Sequence, residues 1–485
     1  MKILLILLLA LILRLISLNQ SLWLDEAITA LAVKNNNLLD LVSKFSLGDL
    51  HPPLHYVLLW FWGHLFGYSE ISLRLPSVIL GVATVWLVYQ IGTLQFNKKV
   101  GLLAGLLLAV APLHVYYSQE ARMYSLAVLT VTLSFYFLIR MTQGKSWSLL
   151  GLLVANTLIL FTDYVAYLAI PAQIIYVFMC PYMGQKEAKS NKGLEGLKQR
   201  YFSALLLSLS TLIFWEPVFL MQLSSGISTA NTLTGWASVV GGAGYKELAL
   251  IPVKTFMGRI SFEDKSLYAL ITGFLSIGYS YVFWHAIRKF NQVIVLLILW
   301  IFVPIVLAFG ISLFIPVLSY FRLIFILPAF YLLLALGLSN LPHKLFKPIL
   351  FAVICVNLIF LSMYYINPKF QREDWRGSSA KIDFLADGNS LIVFDNNTIF
   401  APFIYYSNLL YFSKPGLKKI PANSVDDLAE LNTNGITKIF RFEYLFEITD
   451  PNRLLEKKLK DSDFALVDTF NFNGVGLVHY YQYKY

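Results

Sequence analysis

The sequence predicts a mainly α, polytopic membrane protein, and three observations support this class. Of its 485 residues 57% are hydrophobic and only 14% are charged, with a mean hydropathy of +0.64, so lipid must solvate most of the chain. Apolar runs of about 20 residues, the length that crosses a bilayer as a helix, recur along it. Short basic clusters separate these runs, as is typical of loops that stay in the cytoplasm.

The net charge of +10 does not indicate a nucleic-acid partner, because Lys and Arg are concentrated in those short clusters and orientation in the membrane explains them. Cys180 and Cys355 both lie in apolar runs, so neither a disulfide framework nor a thiolate metal site is predicted. Membrane lipids are the surroundings that the composition indicates.

The first apolar run lacks an A-x-A-like cleavage site before Trp23, and we expect a retained anchor rather than a signal peptide. About eleven spans are predicted, with a count of up to thirteen left open. The eleven spans are residues 2–18, 70–94, 100–118, 122–140, 147–162, 164–181, 202–222, 266–286, 291–315, 322–340 and 347–366. The run at 54–66 is too interrupted for a full crossing and is expected at the outer interface, where Trp, Tyr and His suit the headgroups.

Orientation follows from the basic clusters, since Lys and Arg collect on the cytoplasmic side. With a cytoplasmic N-terminus, one side receives all of them: residues 97–99, 140–145, 185–200, 288–289 and 343–347. The other side receives the external loops 19–69 and 223–265 and everything after residue 366. The sequence therefore predicts a multi-pass protein of the plasma membrane with an extracytoplasmic C-terminus.

From about residue 367 the sequence becomes mixed and polar. Four β-like runs, "SLIVFD", "ITKIFRFEY", "FALVDTF" and "GVGLVHYYQY", are separated by Asn, Gly and Asp turns. We therefore predict a polytopic domain over residues 1–366 and a small soluble α/β domain over residues 367–485, on the outer face.

The unusual polar residues collect at the outer ends of the predicted spans. They are Asp25, Glu26, His51, Arg74, Glu120, Arg122, Tyr124, Asp163 and Arg322, together with "EDWRG" at 373–377. Each alone has an ordinary explanation. The first two carboxylates suit the first turn of a surface helix over about 24–34, and the arginines near span ends suit interfacial anchors.

Taken together, these residues resemble a known family. Its motifs occur here in order as "LWLDEA" at 22–27, "HPPLHY" at 51–56, "SEISLRLPSVILG" at 69–81, "YSQEARMYSL" at 117–126, "YFRLIFILPAF" at 320–330 and "REDWRG" at 372–377. The chain resembles the bacterial membrane glycosyltransferases of the family 39/83 group. Its relatives include the protein O-mannosyltransferases and the aminoarabinose transferase that modifies lipid A.

The resemblance implies a GT-C architecture and an inverting transfer of a hexosyl- or pentosyl-type sugar. The donor would be a polyprenyl-phosphate sugar, and the acceptor a hydroxyl of a lipid, glycan or protein on the outer face. By the same likeness Asp25 is the essential acid and general base, with Glu26 beside it. The implied substrate-binding residues are His51, Arg74, Glu120, Arg122, Tyr124, Asp163 and Arg322.

Among these, the resemblance assigns Arg74 and Arg322 to the donor phosphate. Asp163 stands in "FTDYVAY" where many relatives have a histidine, so a metal role inherited through that position is in doubt. The need for a divalent cation is left open, and no other cofactor is expected.

The chemistry agrees with this family without depending on it. Transfer from a lipid phosphate needs a base for the acceptor proton and cations for the leaving phosphate, and one membrane face supplies both. The alternative is a transporter or flippase, which usually places ionisable residues near the midplane and in repeated halves; neither pattern is seen here. A membrane scaffold would leave Asp25 and Arg122 without a role.

Overall fold

A computed structural model describes residues 1–179, 191–232, 241–288, 291–408, 418–422, 425–429 and 433–484. Parts of the predicted basic loop 185–200 and of the predicted external loop 223–265 lie outside these ranges. The chain divides into two compact units. The first comprises Met1–Leu18, Asn36–Ser228 and Ala237–Ile366, and the second comprises Asn19–Asn35, Thr229–Trp236 and Asn367–Tyr485.

The first unit is helical. Its α-helices are Lys2–Leu15, Leu38–Asp40, Ser46–Gly48, Leu54–Phe66, Glu70–Gln95, Lys98–Ala109, Pro112–Tyr117, Tyr124–Thr142, Ser148–Leu160, Ala169–Met179, Asn191–Ser210, the start of Glu216–Thr232, Tyr245–Met257, Lys265–Ile287, Gln292–Ser312, Leu327–Ser339 and His343–Ile366. Side chains cap several of them, because the first N–H groups of a helix have no partner within it. Ser69, Asn97 and Asn291 each accept an N–H from the residue three positions later.

Among the described residues, five helices are long and apolar enough to cross a membrane. A sixth span results if the helices 195–214 and 216–228, which bend by 74° at their junction, count as one. The predicted count of eleven is therefore not confirmed. The predicted span 100–118, for example, is two helices that meet at Pro112, whose ring suits a helix start and not a helix interior.

A buried arginine ties the first helix to this unit. Arg14 lies in Lys2–Leu15, and its guanidinium donates to the carbonyls of Ala10 at 2.8 Å and Ala109 at 3.2 Å. Its Nη2 lies 2.6 Å from Nδ1 of His114. Since a charge buried among apolar helices must be bonded on every side, Arg14 fixes the helix Pro112–Tyr117 against the first helix.

The second unit contains a five-stranded sheet in the order β2-β1-β3-β5-β4. The strands are β1 Ser390–Asp395, β2 Lys418–Ala422, β3 Lys438–Phe442, β4 Phe464–Phe472 and β5 Gly476–Tyr483. The first three are parallel, and β5 pairs antiparallel with β3 and β4. Each of the four β-like runs in the sequence forms a strand; β2 was not predicted.

Helices cover the apolar residues of this sheet. They are Leu24–Asn35, Trp375–Leu385, Ala401–Tyr406, Val425–Ala429, Phe446–Thr449 and Leu454–Lys460. One core includes Trp375, Phe394 and Phe442, with Leu24 packed against it. The predicted helix over 24–34 is confirmed, as Leu24–Asn35. It belongs to the second unit, whereas the sequence placed residues 19–69 in a loop of the membrane domain.

Candidate functional site

The first unit presents its candidate residues from one buried turn. Residues 118–123 connect the helices Pro112–Tyr117 and Tyr124–Thr142, and all six are buried. Gln119 donates to the carbonyls of Arg14 at 3.0 Å and Ile16 at 2.5 Å. A Cβ on Gly81 would lie 2.3 Å from Oγ of Ser118, so the glycine that ends the "SEISLRLPSVILG" motif lets this turn approach. The turn therefore holds Glu120 and Arg122 in fixed positions.

Arg122 joins a hydrogen-bonded network with residues of the "HPPLHY" segment. Its Nη1 donates to the hydroxyl of Tyr56 at 3.1 Å, and that hydroxyl donates to Oδ2 of Asp49 at 2.5 Å. Nδ1 of His51 lies 3.3 Å from Asp49 and 3.4 Å from Nη2 of Arg122. It donates to the first or accepts from the second, according to the tautomer. These contacts join Arg122, Tyr56, Asp49 and His51 in one polar network.

Asp49 was not singled out from the sequence, although it lies two residues before His51. Burial raises the pKa of its carboxyl. The charge and hydrogen bond of His51, the charge of Arg122 and the hydrogen bond from Tyr56 outweigh that effect and hold the pKa well below its usual range. Asp49 is therefore ionised at neutral pH and acts as the fixed anion of this network.

A second cluster in the same unit combines tyrosines with Arg259. The guanidinium of Arg259 donates to the hydroxyl of Tyr116 at 2.6 Å and lies 4.9 Å from the centroid of that ring. It also interacts electrostatically with Tyr117, Tyr320 and Glu120. Arg259 is nevertheless an exposed residue. A cation surrounded by hydroxyls and still accessible can bind an anion such as a phosphate.

Arg259 reaches Tyr116 because of the backbone before it. Gly258 ends the helix Tyr245–Met257 with a φ of +65°, a conformation that favours glycine. A Cβ at this position would lie 2.8 Å from Cβ of Pro112. The close approach of the turn 258–261 to the helix Pro112–Tyr117 thus requires this glycine.

Lys254 also contacts the turn 258–261. Its Nζ donates to the carbonyl of Ile260 at 2.8 Å and to Oγ of Ser261 at 2.7 Å, and the side chain is 5% exposed. Burial, and to a smaller extent the charge of Arg259, lowers the pKa of Lys254 to about 7. Neither Lys254 nor Arg259 was predicted, because the loop 223–265 carries no motif in which to recognise them.

We expect the contribution of Lys254 to stability to depend on pH. Its pKa of about 7 in the folded protein lies below the ordinary value of 10.5. The folded state therefore disfavours the charged amine, and this penalty disappears as pH rises from 7 to 10.5. Relative to Lys254→Met, wild-type protein should gain about 1 kcal/mol per pH unit across that window, measured by unfolding in detergent. Lys265→Met, at an exposed position, is the control. If wild type, Lys254→Met and Lys265→Met all changed stability with pH in the same way, the lowered pKa of Lys254 would be contradicted.

The two arginines assigned to the donor phosphate have different surroundings. Arg74 is buried in the helix Glu70–Gln95, and its Nη1 donates to the carbonyl of Leu18 at 2.9 Å. Arg322 is half-buried, and its Nη1 donates to the carbonyl of Pro316 at 2.8 Å. The contact of Arg74 with Leu18 indicates a bracing role. Arg322 lies two residues after Tyr320, which interacts electrostatically with Arg259.

Tyr124 and Asp163 complete the predicted set in this unit. The ring of Tyr124 makes edge contacts with Tyr117 at 4.8 Å and Phe321 at 6.0 Å, so it belongs to the tyrosine cluster. Asp163 is buried and accepts the N–H of Val165 at 2.7 Å. This hydrogen bond lies at the start of the short 3₁₀ helix Val165–Leu168.

Asp25 and Glu26 lie in the second unit, in the first turn of Leu24–Asn35. Glu26 is fully buried, and its carboxylate accepts the N–H of Trp23 at 3.4 Å. This contact is half of a capping box, in which the third helical residue reaches back to the residue before the helix. Glu26 therefore stabilises the start of the helix Leu24–Asn35.

The described residues contain no group of three or more His, Cys, Asp or Glu side chains arranged to hold a metal ion. We therefore derive no step through a metal.

Comparison with known protein families gives a match to part of the chain. The family model described as dolichyl-phosphate-mannose-protein mannosyltransferase matches residues 50–216, roughly a third of the chain. The matched range includes the "HPPLHY" segment, which follows Asp49 closely, and the turn 118–123. No curated protein matches the sequence significantly.

Solved structures match almost the whole chain. ArnT from Cupriavidus metallidurans, solved bound to undecaprenyl phosphate, aligns with a TM-score of 0.58 at 12% identity over 99% of this chain and 97% of that one. The archaeal oligosaccharyltransferase AglB from Archaeoglobus fulgidus, solved with an inhibitory peptide and a dolichol-phosphate, aligns with a TM-score of 0.52 at 11% identity, over 98% of this chain and 74% of that one. The chain thus has the GT-C fold of membrane glycosyltransferases, and the resemblance seen in the motifs is confirmed.

Proposed function

We propose that this protein, a GT-C-fold membrane glycosyltransferase, moves a sugar from a polyprenyl-phosphate donor to an acceptor hydroxyl on the outer face of the membrane, with inversion. The observation that carries the proposal is Arg259, an exposed residue whose guanidinium is held against Tyr116 in a protein of this fold. Both matched structures were solved with a polyprenyl phosphate. A lipid phosphate is the anion that such a cation would meet at the end of membrane helices.

The proposed reaction is a single displacement. The acceptor oxygen attacks C1 of the sugar, the bond from C1 to the phosphate oxygen breaks, and the lipid phosphate leaves with the electron pair of that bond. Asp25 takes the proton of the acceptor hydroxyl as general base. Arg259 and Arg322 stabilise the charge that develops on the leaving phosphate.

The remaining predicted residues have supporting roles in this proposal. His51 and Arg122, with the ionised Asp49, form a polar network suited to the hydroxyls of a sugar. Glu120 and Tyr124 belong to the buried turn and the tyrosine cluster that surround Arg259. Arg74 braces the first unit through Leu18. A hexosyl or pentosyl donor, and a lipid, glycan or protein acceptor, all agree with this set.

The orientation is part of the same proposal. The basic clusters place the N-terminus in the cytoplasm, and the second unit, with its polar helices and mixed sheet, then lies outside the plasma membrane as a soluble α/β domain. The donor would reach the enzyme through the membrane, with its isoprenoid chain lying against the apolar helices of the first unit.

The test is to incubate the purified protein with a panel of radiolabelled polyprenyl-phosphate sugars and to measure release of the lipid phosphate. A glycosyltransferase should release it and transfer the label to an acceptor in a membrane extract or, slowly, to water. A transporter or flippase would bind or move the same lipids and leave the bond from sugar to phosphate intact. Binding without cleavage of any donor on the panel would contradict the proposal.

A further inference from the structure

The helix that carries Asp25 follows Trp23, whose backbone N–H donates to Glu26. Leu24, the first residue of that helix, packs against the core that contains Trp375 and Tyr444. The backbone of Leu24 and the charge of Asp25 both influence the carboxylate of Glu373, which belongs to the "REDWRG" segment near the other end of the sequence.

The carboxylate of Glu373 is held in one orientation. Oε2 accepts the indole N–H of Trp375 at 2.7 Å, and Oε1 accepts the hydroxyl of Tyr444 at 2.9 Å. Trp375 is fully buried and stacks on Phe442 with an interplanar angle of 12°. Gly474, at a φ of +70°, leaves room for Glu373, because a Cβ there would lie 2.8 Å from its Cγ.

Independent contacts keep the preceding residues in place. The N–H of Arg372 donates to the side chain of Gln20 at 2.9 Å, and the guanidinium of Arg376 donates to the carbonyl of Asn19 at 2.9 Å. The N–H of Leu22 donates to the hydroxyl of Tyr406 at 2.8 Å. Loss of the Glu373 contact would therefore loosen the first helical turn without releasing the segment before it.

We propose that Glu373 is a positioning residue for Asp25: by accepting the indole N–H of Trp375 and the hydroxyl of Tyr444, its carboxylate fixes the core against which Leu24, in the helix turn that carries Asp25, packs. The inference rests on the proposed role of Asp25 as general base. The only step it adds is geometric, since Glu373 accepts these two donors and exchanges no proton with the substrate.

The electrostatics of Glu373 make this role measurable. Burial raises its pKa to about 7; the hydrogen bonds from Trp375, Tyr444 and Leu24 lower it, and the negative charge of Asp25 raises it. Asp25 and Tyr444 are the titratable groups that interact with it from the neighbouring elements. Because this pKa lies above the ordinary 4.5, the stability it contributes is complete below pH 4.5 and is lost as pH rises through about 7.

Stability and positioning should therefore respond to pH in opposite directions. The protonated carboxyl favours the fold, but its proton occupies one of the two oxygens that accept the donors of Trp375 and Tyr444. Below about pH 7 the first turn loses part of its support. Activity should fall there while the unfolding temperature does not.

The experiment compares Glu373→Gln with wild type and with Glu447→Gln, a control at an exposed position of the same unit. Glu373→Gln should lower kcat for transfer about 10-fold or more, since a misplaced catalytic group is costly, and leave the KM for the donor unchanged. Its kcat should lose the ionisation near pH 7, and its unfolding temperature at pH 8 should equal or exceed that of wild type. The Glu447→Gln variant should behave as wild type in each measurement.

A second variant covers the case in which Glu373→Gln does not fold. Tyr444→Phe removes one donor to the same carboxylate and should move the acid limb of kcat to higher pH. An unchanged pH profile in either folded variant would overturn the positioning role. That result is distinct from failure of the proposed function, which would appear as binding without cleavage of any donor by the wild-type protein. It is also distinct from failure of the role of Asp25 as general base, which would appear as full transfer by Asp25→Asn.

Discussion

Asp25→Asn is expected to lower the turnover of sugar transfer by about 100-fold or more, with normal expression and donor binding. The amide keeps the shape of the side chain and removes only its basicity. Its place in the first turn of Leu24–Asn35 would be unchanged. The measurement is kcat for release of lipid phosphate, with binding of the polyprenyl-phosphate sugar recorded separately.

The competing explanation makes a different prediction. If Asp25 only complements the helix dipole, the asparagine variant should lose at most about 1 kcal/mol of stability and transfer sugar normally. Asp40→Asn is the matched control, because Asp40 lies in the same predicted external loop and pairs with Lys44 at 2.7 Å. Near wild-type transfer by the Asp25 variant would show that Asp25 and Glu26 are only the first-turn carboxylates of a helix.

Local signals in the sequence predicted the helix start that carries these carboxylates. The carboxylates after Trp23 indicated the first turn of a helix over about 24–34, and the structure confirms that helix as Leu24–Asn35. Successive helical residues point about 100° apart, and Glu26 is buried and accepts the Trp23 N–H. Hydrophobic periodicity and capping act over a few residues, so a single sequence contains them.

Contacts between distant segments were not predictable in the same way. Nothing near Leu24 shows that its backbone meets Glu373, and the motifs that contain these residues only suggested that both matter. Arg259 is a stronger example, since its place beside Tyr116 depends on Gly258 and on a turn that follows a helix with no recognisable motif. Composition and spacing do not encode which helices meet, and so Arg259, Lys254 and Asp49 were missed.

The predicted span count is not confirmed, for a related reason. A hydropathy window registers an apolar stretch whether or not its helix continues, so the run at 100–118 counted as one crossing. The structure interrupts it at Pro112, and that break produces the short helix that carries Tyr116 and Tyr117. The helix break at Pro112, which a hydropathy window does not register, therefore also positions Tyr116 and Tyr117 in the tyrosine cluster.

Arg259→Ala is expected to weaken binding of a polyprenyl-phosphate sugar about 10-fold or more, because hydrogen bonds to charged groups contribute about 1.5–3 kcal/mol each. Arg259 is an exposed residue, and its guanidinium is oriented by the hydroxyl of Tyr116 and by the turn that Lys254 contacts. Arg259→Lys keeps the charge and loses the planar fork, so an intermediate affinity is expected. The measurement is the Kd of a labelled polyprenyl-phosphate sugar in detergent.

The control for this prediction removes a positive charge of the same region without touching the tyrosine cluster. Lys265 is exposed at the start of the helix Lys265–Ile287, and Lys265→Ala should bind the donor as wild type does. Arg322→Ala should also weaken donor binding if both cations contact the phosphate. The fold-loss of affinity in the double variant should then not exceed the product of the two single fold-losses. Unchanged donor affinity in Arg259→Ala, with Arg322→Ala impaired, would move the phosphate site to the residue predicted from the sequence. Unchanged affinity in both would show that these arginines only brace the tyrosines and the turn before Phe321.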